Sequence, residues 1–230
     1  MKPGIVVTSL SVFASLLFAR QALPQPKPAV QTKASQAAMT PAAAIERLKE
    51  GNRRFVANAM KPRDWSAKVV ATASGQFPFA AVLGCMDSRA PIEIAFDQGI
   101  GDVFAVRIAG NVVNEDELGS LEYAVHVGAK LIVVLGHTSC GAVKGAMDHV
   151  EMGHLTGLLA KIQPSVIAGG CNDSKDVGCV IKVTEANVRM SVKEILDQSP
   201  YLKKAVDTGQ IGLVGAIYDV ATGKVTFLEQ

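Results

Sequence analysis

Apolar and polar positions along the chain follow two periods. Residues 79–84 (Phe79, Ala80, Ala81, Val82, Leu83, Gly84) and 131–136 (Leu131, Ile132, Val133, Val134, Leu135, Gly136) are short runs with no polar side chain. Such runs predict strands buried on both faces of a parallel sheet. Residues 102–108, 211–218 and 224–228 predict three more strands, the last following a turn at 219–223. Between them lie segments of helical character at 40–58, 91–96, 118–127, 155–167, 177–198 and 201–208. Thr40 and Pro41 suit the cap and first position of a helix. Gly51 and Asn52 argue against that helix being unbroken. Gly128 suits a helix end, and Pro200 marks where the long helix before it must stop. Strands alternating with helices predict an α/β fold: a mostly parallel central sheet flanked by helices, with an antiparallel edge strand from the C-terminal hairpin.

The N-terminal part has a different pattern. Lys2 precedes an apolar run from Ile5 to Ala19, which reads as a secretory signal peptide over residues 1–19. Residues 20–39 carry Pro24, Pro26 and Pro28 among Gln, Ala, Lys and Ser, and read as a disordered linker. The folded domain is expected over 40–230. The protein is then exported, periplasmic or secreted, with no stable membrane partner once the signal is removed.

Composition changes this picture little. Of 230 residues 49% are hydrophobic and 19% charged, with a net charge of +2. No basic stripe interleaved with aromatics points to nucleic acid. The four cysteines matter more. Cys85 and Asp87 follow the first apolar run, and His137 and Cys140 follow the second. Ligands of open α/β sheets bind beyond the carboxyl ends of parallel strands. If these two strands are neighbours, Cys85, His137 and Cys140 converge on one point. Two thiolates and an imidazole suit zinc, with the fourth position left to water or to Asp87. Gly141 opens a helix, so its backbone amide points toward the same place. Cys171 and Cys179 flank a loop-like segment and fit either a local disulfide or two free thiols. His126, His149 and His154 belong to no motif and read as solvent-exposed.

The motifs Cys85-Met86-Asp87-Ser88-Arg89 and His137-Thr138-Ser139-Cys140-Gly141, in this order, resemble those of the β-class carbonic anhydrases. Val106-Arg107-Ile108-Ala109-Gly110-Asn111, Glu122-Tyr123-Ala124 and the tail with Tyr218-Asp219 support the resemblance, which runs from about Thr40 to the C-terminus. It implies one zinc per subunit on Cys85, His137 and Cys140, and Asp87 and Arg89 as the paired acid and base. It further implies that Gln76, Phe104 and Tyr123 line the substrate pocket. Val82 stands where a bicarbonate-regulated subgroup carries Trp, which points to the subgroup with an open zinc. The family is built on homodimers and often homotetramers.

The resemblance implies reversible hydration of carbon dioxide to bicarbonate and a proton. In that reading Asp87 accepts a hydrogen bond from zinc hydroxide, and Arg89 keeps Asp87 ionised and oriented. Gln76 donates to the substrate oxygen that gains charge, the Gly141 amide assists, and Val82, Phe104 and Tyr123 form an apolar wall suited to a small uncharged gas. Two alternatives are a carbon disulfide or carbonyl sulfide hydrolase on the same scaffold, and a non-catalytic zinc protein whose Asp87 closes the site.

Overall fold

The computed structural model describes residues 30–229. Five strands, β1 (Ala80–Gly84), β2 (Val103–Arg107), β3 (Leu131–His137), β4 (Gly212–Tyr218) and β5 (Val225–Phe227), form one sheet in the order β2-β1-β3-β4-β5. The first four run parallel, and β5 pairs antiparallel with β4. Among the described residues ten α-helices surround the sheet: α1 (Lys33–Ala37), α2 (Pro41–Val56), α3 (Trp65–Thr72), α4 (Ile92–Ala95), α5 (Glu115–His126), α6 (Gly141–Met147), α7 (Gly153–Ala160), α8 (Gln163–Gly169), α9 (Val177–Gln198) and α10 (Pro200–Asp207). None of the helices among the described residues is long and apolar enough to cross a membrane.

The strand pleat sorts the core into two layers, because successive side chains leave a strand on opposite faces. Ala81, Leu83, Ile132, Val134 and Leu213 pack beneath α5, α9 and α10, against Leu121, Val125, Val188 and Leu202. Ala80, Val82, Leu131, Val133 and Ala216 face the other way, onto Ala44 and Leu48 of α2 and Ile92, Ala95 and Phe96. Burial on both faces explains why β1 and β3 carry no polar residue until His137. β2 has a single neighbour and half-exposed side chains, so it is an open edge.

Several boundaries differ from the sequence expectation. The signal peptide and residues 20–29 of the expected linker lie outside the described residues. Residues 30–39 are not a disordered linker throughout: α1 is closed by a reciprocal Thr32–Ser35 cap. Gln36, 5% exposed, donates from Nε2 to the Pro78 carbonyl at 2.7 Å. This buried amide anchors the short helix to the entrance of β1. α3, capped by Asp64, was not anticipated. α5 begins three residues before Leu118, where Asn114 accepts from the Asp116 and Glu117 amides. The single helix expected over 155–167 is two, because Pro164 at the start of α8 cannot donate to a carbonyl of α7.

α2 is unbroken through Gly51 and Asn52, for a tertiary reason. A Cβ at Gly51 would lie 1.8 Å from the Phe96 carbonyl oxygen, so glycine lets α2 press onto the end of α4. Asn52 is buried beside it. It donates to the Ala95 and Gly223 carbonyls at 2.9 and 2.8 Å and accepts from the Val225 amide at 2.8 Å. On an exposed helix Gly→Ala stabilises by about 1 kcal/mol. Gly51→Ala is expected to do the opposite, costing about 1–3 kcal/mol through overpacking against a fixed backbone group. A urea midpoint lowered relative to wild type checks the sign. The same corner holds Asp97, whose carboxylate is fully buried and pairs with Arg54 at 2.5 Å and with Arg63.

Candidate metal centre

β1 and β3 are adjacent and in register, Gly84 opposite Leu135. The next residue after β1 is Cys85, and β3 ends on His137. A tight turn follows, with Ser139 in the left-handed region (φ 56°), and brings Cys140 back as the cap of α6. Cys85 and Cys140, 55 positions apart, thus place their sulfurs 4.0 Å from one another. With His137 their ligand atoms all lie within 4.8 Å. Two sulfurs on one tetrahedral zinc, each about 2.3 Å from the ion, stand about 3.8 Å apart.

The imidazole is set for the same task. His137 Nδ1 lies 2.9 Å from the Thr138 carbonyl, which can only accept, so Nδ1 donates and Nε2 carries the lone pair. Nε2 is buried and has no hydrogen-bond partner. An orphaned acceptor beside two buried sulfurs costs stability unless a ligand satisfies it. The residues present therefore fit a zinc ion. The two thiols are biased in opposite directions: Cys85 is lowered, chiefly by the hydrogen bond from Cys140, with the Gly110 amide adding to it. Cys140 is raised by its hydrogen bond to Cys85, by burial and by the neighbouring negative charge. One negative charge in this pair therefore forms readily, and a second needs a cation.

Asp87 stands at the mouth of the cluster. Arg89 donates to it three times: Nε to Oδ1 at 3.0 Å, Nη2 to Oδ2 at 2.7 Å, and its backbone amide to Oδ1 at 2.9 Å. Those bonds hold the carboxyl down at about 2. Arg89 Nη2 also reaches the Ser139 carbonyl at 3.3 Å, tying both ligand loops together. Asp87 Oδ2 lies 3.8 Å from His137 Nε2. Both carboxylate oxygens are engaged by Arg89, an arrangement that keeps Asp87 off the metal position rather than in it.

Arg107, at the end of β2, takes a part that the motif resemblance does not imply. Its Nε donates to the Cys85 carbonyl at 3.0 Å and its Nη2 to the Asp87 carbonyl at 2.6 Å, clamping the loop that carries both. A lone Arg closing an otherwise apolar strand was the available signal.

The other expected site residues are placed differently. Gly141, exposed, follows Cys140 directly as the first residue of α6. Val82 is fully buried in the core with Phe79 and Val133 and offers no surface to a substrate, so it is not part of a pocket wall. Its side chain leaves β1 on the face covered by α2. Gln76 is exposed and precedes the amino end of β1, whereas the sulfurs follow the carboxyl ends. Phe104 pairs with Ala81, four residues before Cys85, or about 13 Å along the strand. Tyr123, 57% exposed, meets the Phe104 ring edge-on at 6.2 Å. Within one protomer these three do not reach the cluster. His126, His149 and His154 are exposed and outside it. Cys171 and Cys179 are bonded to each other across the loop between α8 and α9, with Cα atoms 5.9 Å apart.

A mostly parallel sheet whose two central strands deliver a buried Cys₂His set beside an Asp–Arg pair defines a metal-dependent α/β enzyme. Comparison with known proteins narrows the class. Residues 80–225 match the carbonic anhydrase family. Carbonic anhydrase 2 of Mycobacterium tuberculosis is 39% identical over 193 residues, covering 80% of this chain and 91% of that protein. The carbonic anhydrase of Mycolicibacterium smegmatis is 38% identical over 192 residues, covering 80% and 92%. Among solved structures, the β-carbonic anhydrase CafA of Aspergillus fumigatus superposes with a TM-score of 0.65 at 26% identity, covering 82% of this chain and 90% of that one. A tetrameric β-carbonic anhydrase of Sordaria macrospora gives 0.64 at 26% identity, covering 72% and 91%. The chain belongs to the β-class carbonic anhydrases, which are zinc enzymes.

Proposed function

We propose that Cys85, His137 and Cys140 hold one zinc ion per subunit, and that Asp87 and Arg89 serve the reversible hydration of carbon dioxide to bicarbonate beside it. The observation that carries this reading is the orphaned, buried His137 Nε2 facing two sulfurs 4.0 Å apart. Bound zinc supplies the Lewis acidity that makes water a nucleophile at neutral pH. Asp87 contributes orientation. A carboxyl held near 2 keeps no proton at neutral pH, so it acts as a fixed acceptor and the reaction's proton passes to solvent. Arg89 fixes which oxygen faces the cluster, and its half-exposed guanidinium supplies positive charge where an anionic product leaves. The Gly141 amide, next to Cys140 at the start of α6, would donate to the substrate in this reading. Stopped-flow hydration of carbon dioxide by purified protein, with zinc measured on the same sample, is the direct test. Zinc-loaded protein without hydration activity would overturn the assignment.

The working unit in this reading is a homodimer or a pair of dimers. Phe104 and Tyr123 pack on each other at the open β2 edge, Gln76 precedes the amino end of β1, and in this reading a second copy would supply all three to its partner's cluster. A tetrameric relative supports assembly. The expected result is complementation: mixing Cys140→Ala chains with Gln76→Ala chains restores part of the activity each lacks, because one mixed site is intact. No recovery after verified exchange of subunits would mean that Gln76 acts within its own chain or not at all.

Export is the accompanying proposal. The apolar run of residues 1–19 is of signal-peptide type, and a structural disulfide such as Cys171–Cys179 persists in oxidising compartments. Mass spectrometry of the protein from fractionated cells would show the shortened N-terminus.

A further inference from the structure

Behind the Cys85 sulfur lies a set of buried polar groups that neither ligates metal nor meets substrate. The turn Ala109–Asn111 leaves β2 with two consecutive left-handed residues, Gly110 (φ 69°) and Asn111 (φ 44°). The Gly110 amide donates to Cys85 Sγ at 3.4 Å. Helix α9 grips the same turn from the far side. Asn187 Nδ2 donates to the Gly110 carbonyl at 2.7 Å, and Ser191 Oγ to the Asn111 carbonyl at 3.0 Å. Ser165 of α8 donates to Asn187 Oδ1 at 3.3 Å, which turns the amide nitrogen toward Gly110. Ser165, Asn187 and Ser191 are at most 2% exposed.

Such groups are poor packing material. A buried Asn inside a helix is disfavoured by propensity and by desolvation, and an apolar residue would seat α9 on the sheet at less cost. What the polar set does achieve is to fix a strained turn whose one outward product is an N–H aimed at a ligand sulfur. We infer that Asn187 is a positioning residue for the metal centre: by holding the Gly110 carbonyl it orients the Gly110 N–H on Cys85. A hydrogen bond to a ligand thiolate withdraws part of its charge, so the metal keeps more of its own, and outer partners of this kind control both affinity and electronic character. The inference rests on the reading that Cys85, His137 and Cys140 hold a metal.

The test uses the full chain loaded with cobalt(II), whose thiolate charge-transfer absorption reports on the sulfurs directly. Asn187→Leu is expected to shift that absorption, to release cobalt to a chelator about tenfold faster, and to speed hydrogen exchange at the Gly110 amide in the zinc-loaded protein. Ile195→Val, at a fully buried site farther along α9, controls for loss of stability alone. It is expected to lower the melting temperature with absorption and release unchanged. Wild-type absorption and release in Asn187→Leu, or equal changes in Ile195→Val, overturn the proposal. Should Asn187→Leu fail to fold, Ser165→Ala carries the test in the same direction with a smaller change, and wild-type values there overturn it. A chain that takes up no metal overturns the metal assignment instead. The relay is then judged on Gly110 exchange in the metal-free protein, and exchange unaffected by either substitution overturns it.

Discussion

Cys140→Ala is expected to fold, to come away from dialysis without zinc, and to lose carbon dioxide hydration. Cys140 is 1% exposed and belongs to the group Cys85, His137 and Cys140 that could hold a metal ion. Its removal leaves a thiolate and an imidazole, too few to compete with water for the ion. The backbone is not at stake in the same way. The turn into α6 is held by the Lys144 amide on the Cys140 carbonyl and by the Thr138 amide on the Tyr218 carbonyl, and neither bond involves the sulfur. Circular dichroism near that of wild type, a zinc content near zero and no hydration above the uncatalysed rate are the three readings expected together. Stoichiometric zinc in this variant would remove Cys140 from the ligand set.

Asp87→Asn is expected to separate metal binding from turnover: zinc stays at one per chain, and hydration falls by about a hundredfold, the scale set by loss of a group that orients the reactant. The carboxylate presents two acceptors, and Arg89 occupies both. An amide keeps one oxygen for Arg89 and puts an NH₂ where Oδ2 now stands, 3.8 Å from His137 Nε2. The acceptor facing the cluster becomes a donor, and a reactant that must be oriented by donating to it is turned away. Near-normal turnover in zinc-loaded Asp87→Asn would take this residue out of the mechanism.

The parts legible in the sequence were those whose signal is local. β1 and β3 announced themselves because strands covered on both faces tolerate no polar residue, and the ligands stood out because polarity returns abruptly where those strands end. What escaped notice depends on distant partners. Gly51 looked like a helix breaker, and only the Phe96 carbonyl pressed against it explains why α2 continues. The short α1 exists because Gln36 finds the Pro78 carbonyl, 42 positions away. Val82 was expected in an apolar pocket wall, but the pleat turns it into the core. Gln76, Phe104 and Tyr123 matched by residue type, yet within one protomer they stand away from the cluster, which a motif read along the chain does not tell.

The interleaving of the ligand segments has a consequence for how the protein matures. β2 and α5 lie between Cys85 and Cys140 in sequence, yet the strands that carry the ligands are nearest neighbours in the sheet. The crossover must close before all three groups meet, so an unfolded chain offers a metal no more than the local His137–Cys140 pair. Metal bound to the finished cluster would draw molecules toward the folded state by mass action, to a degree set by how much free metal the surroundings hold.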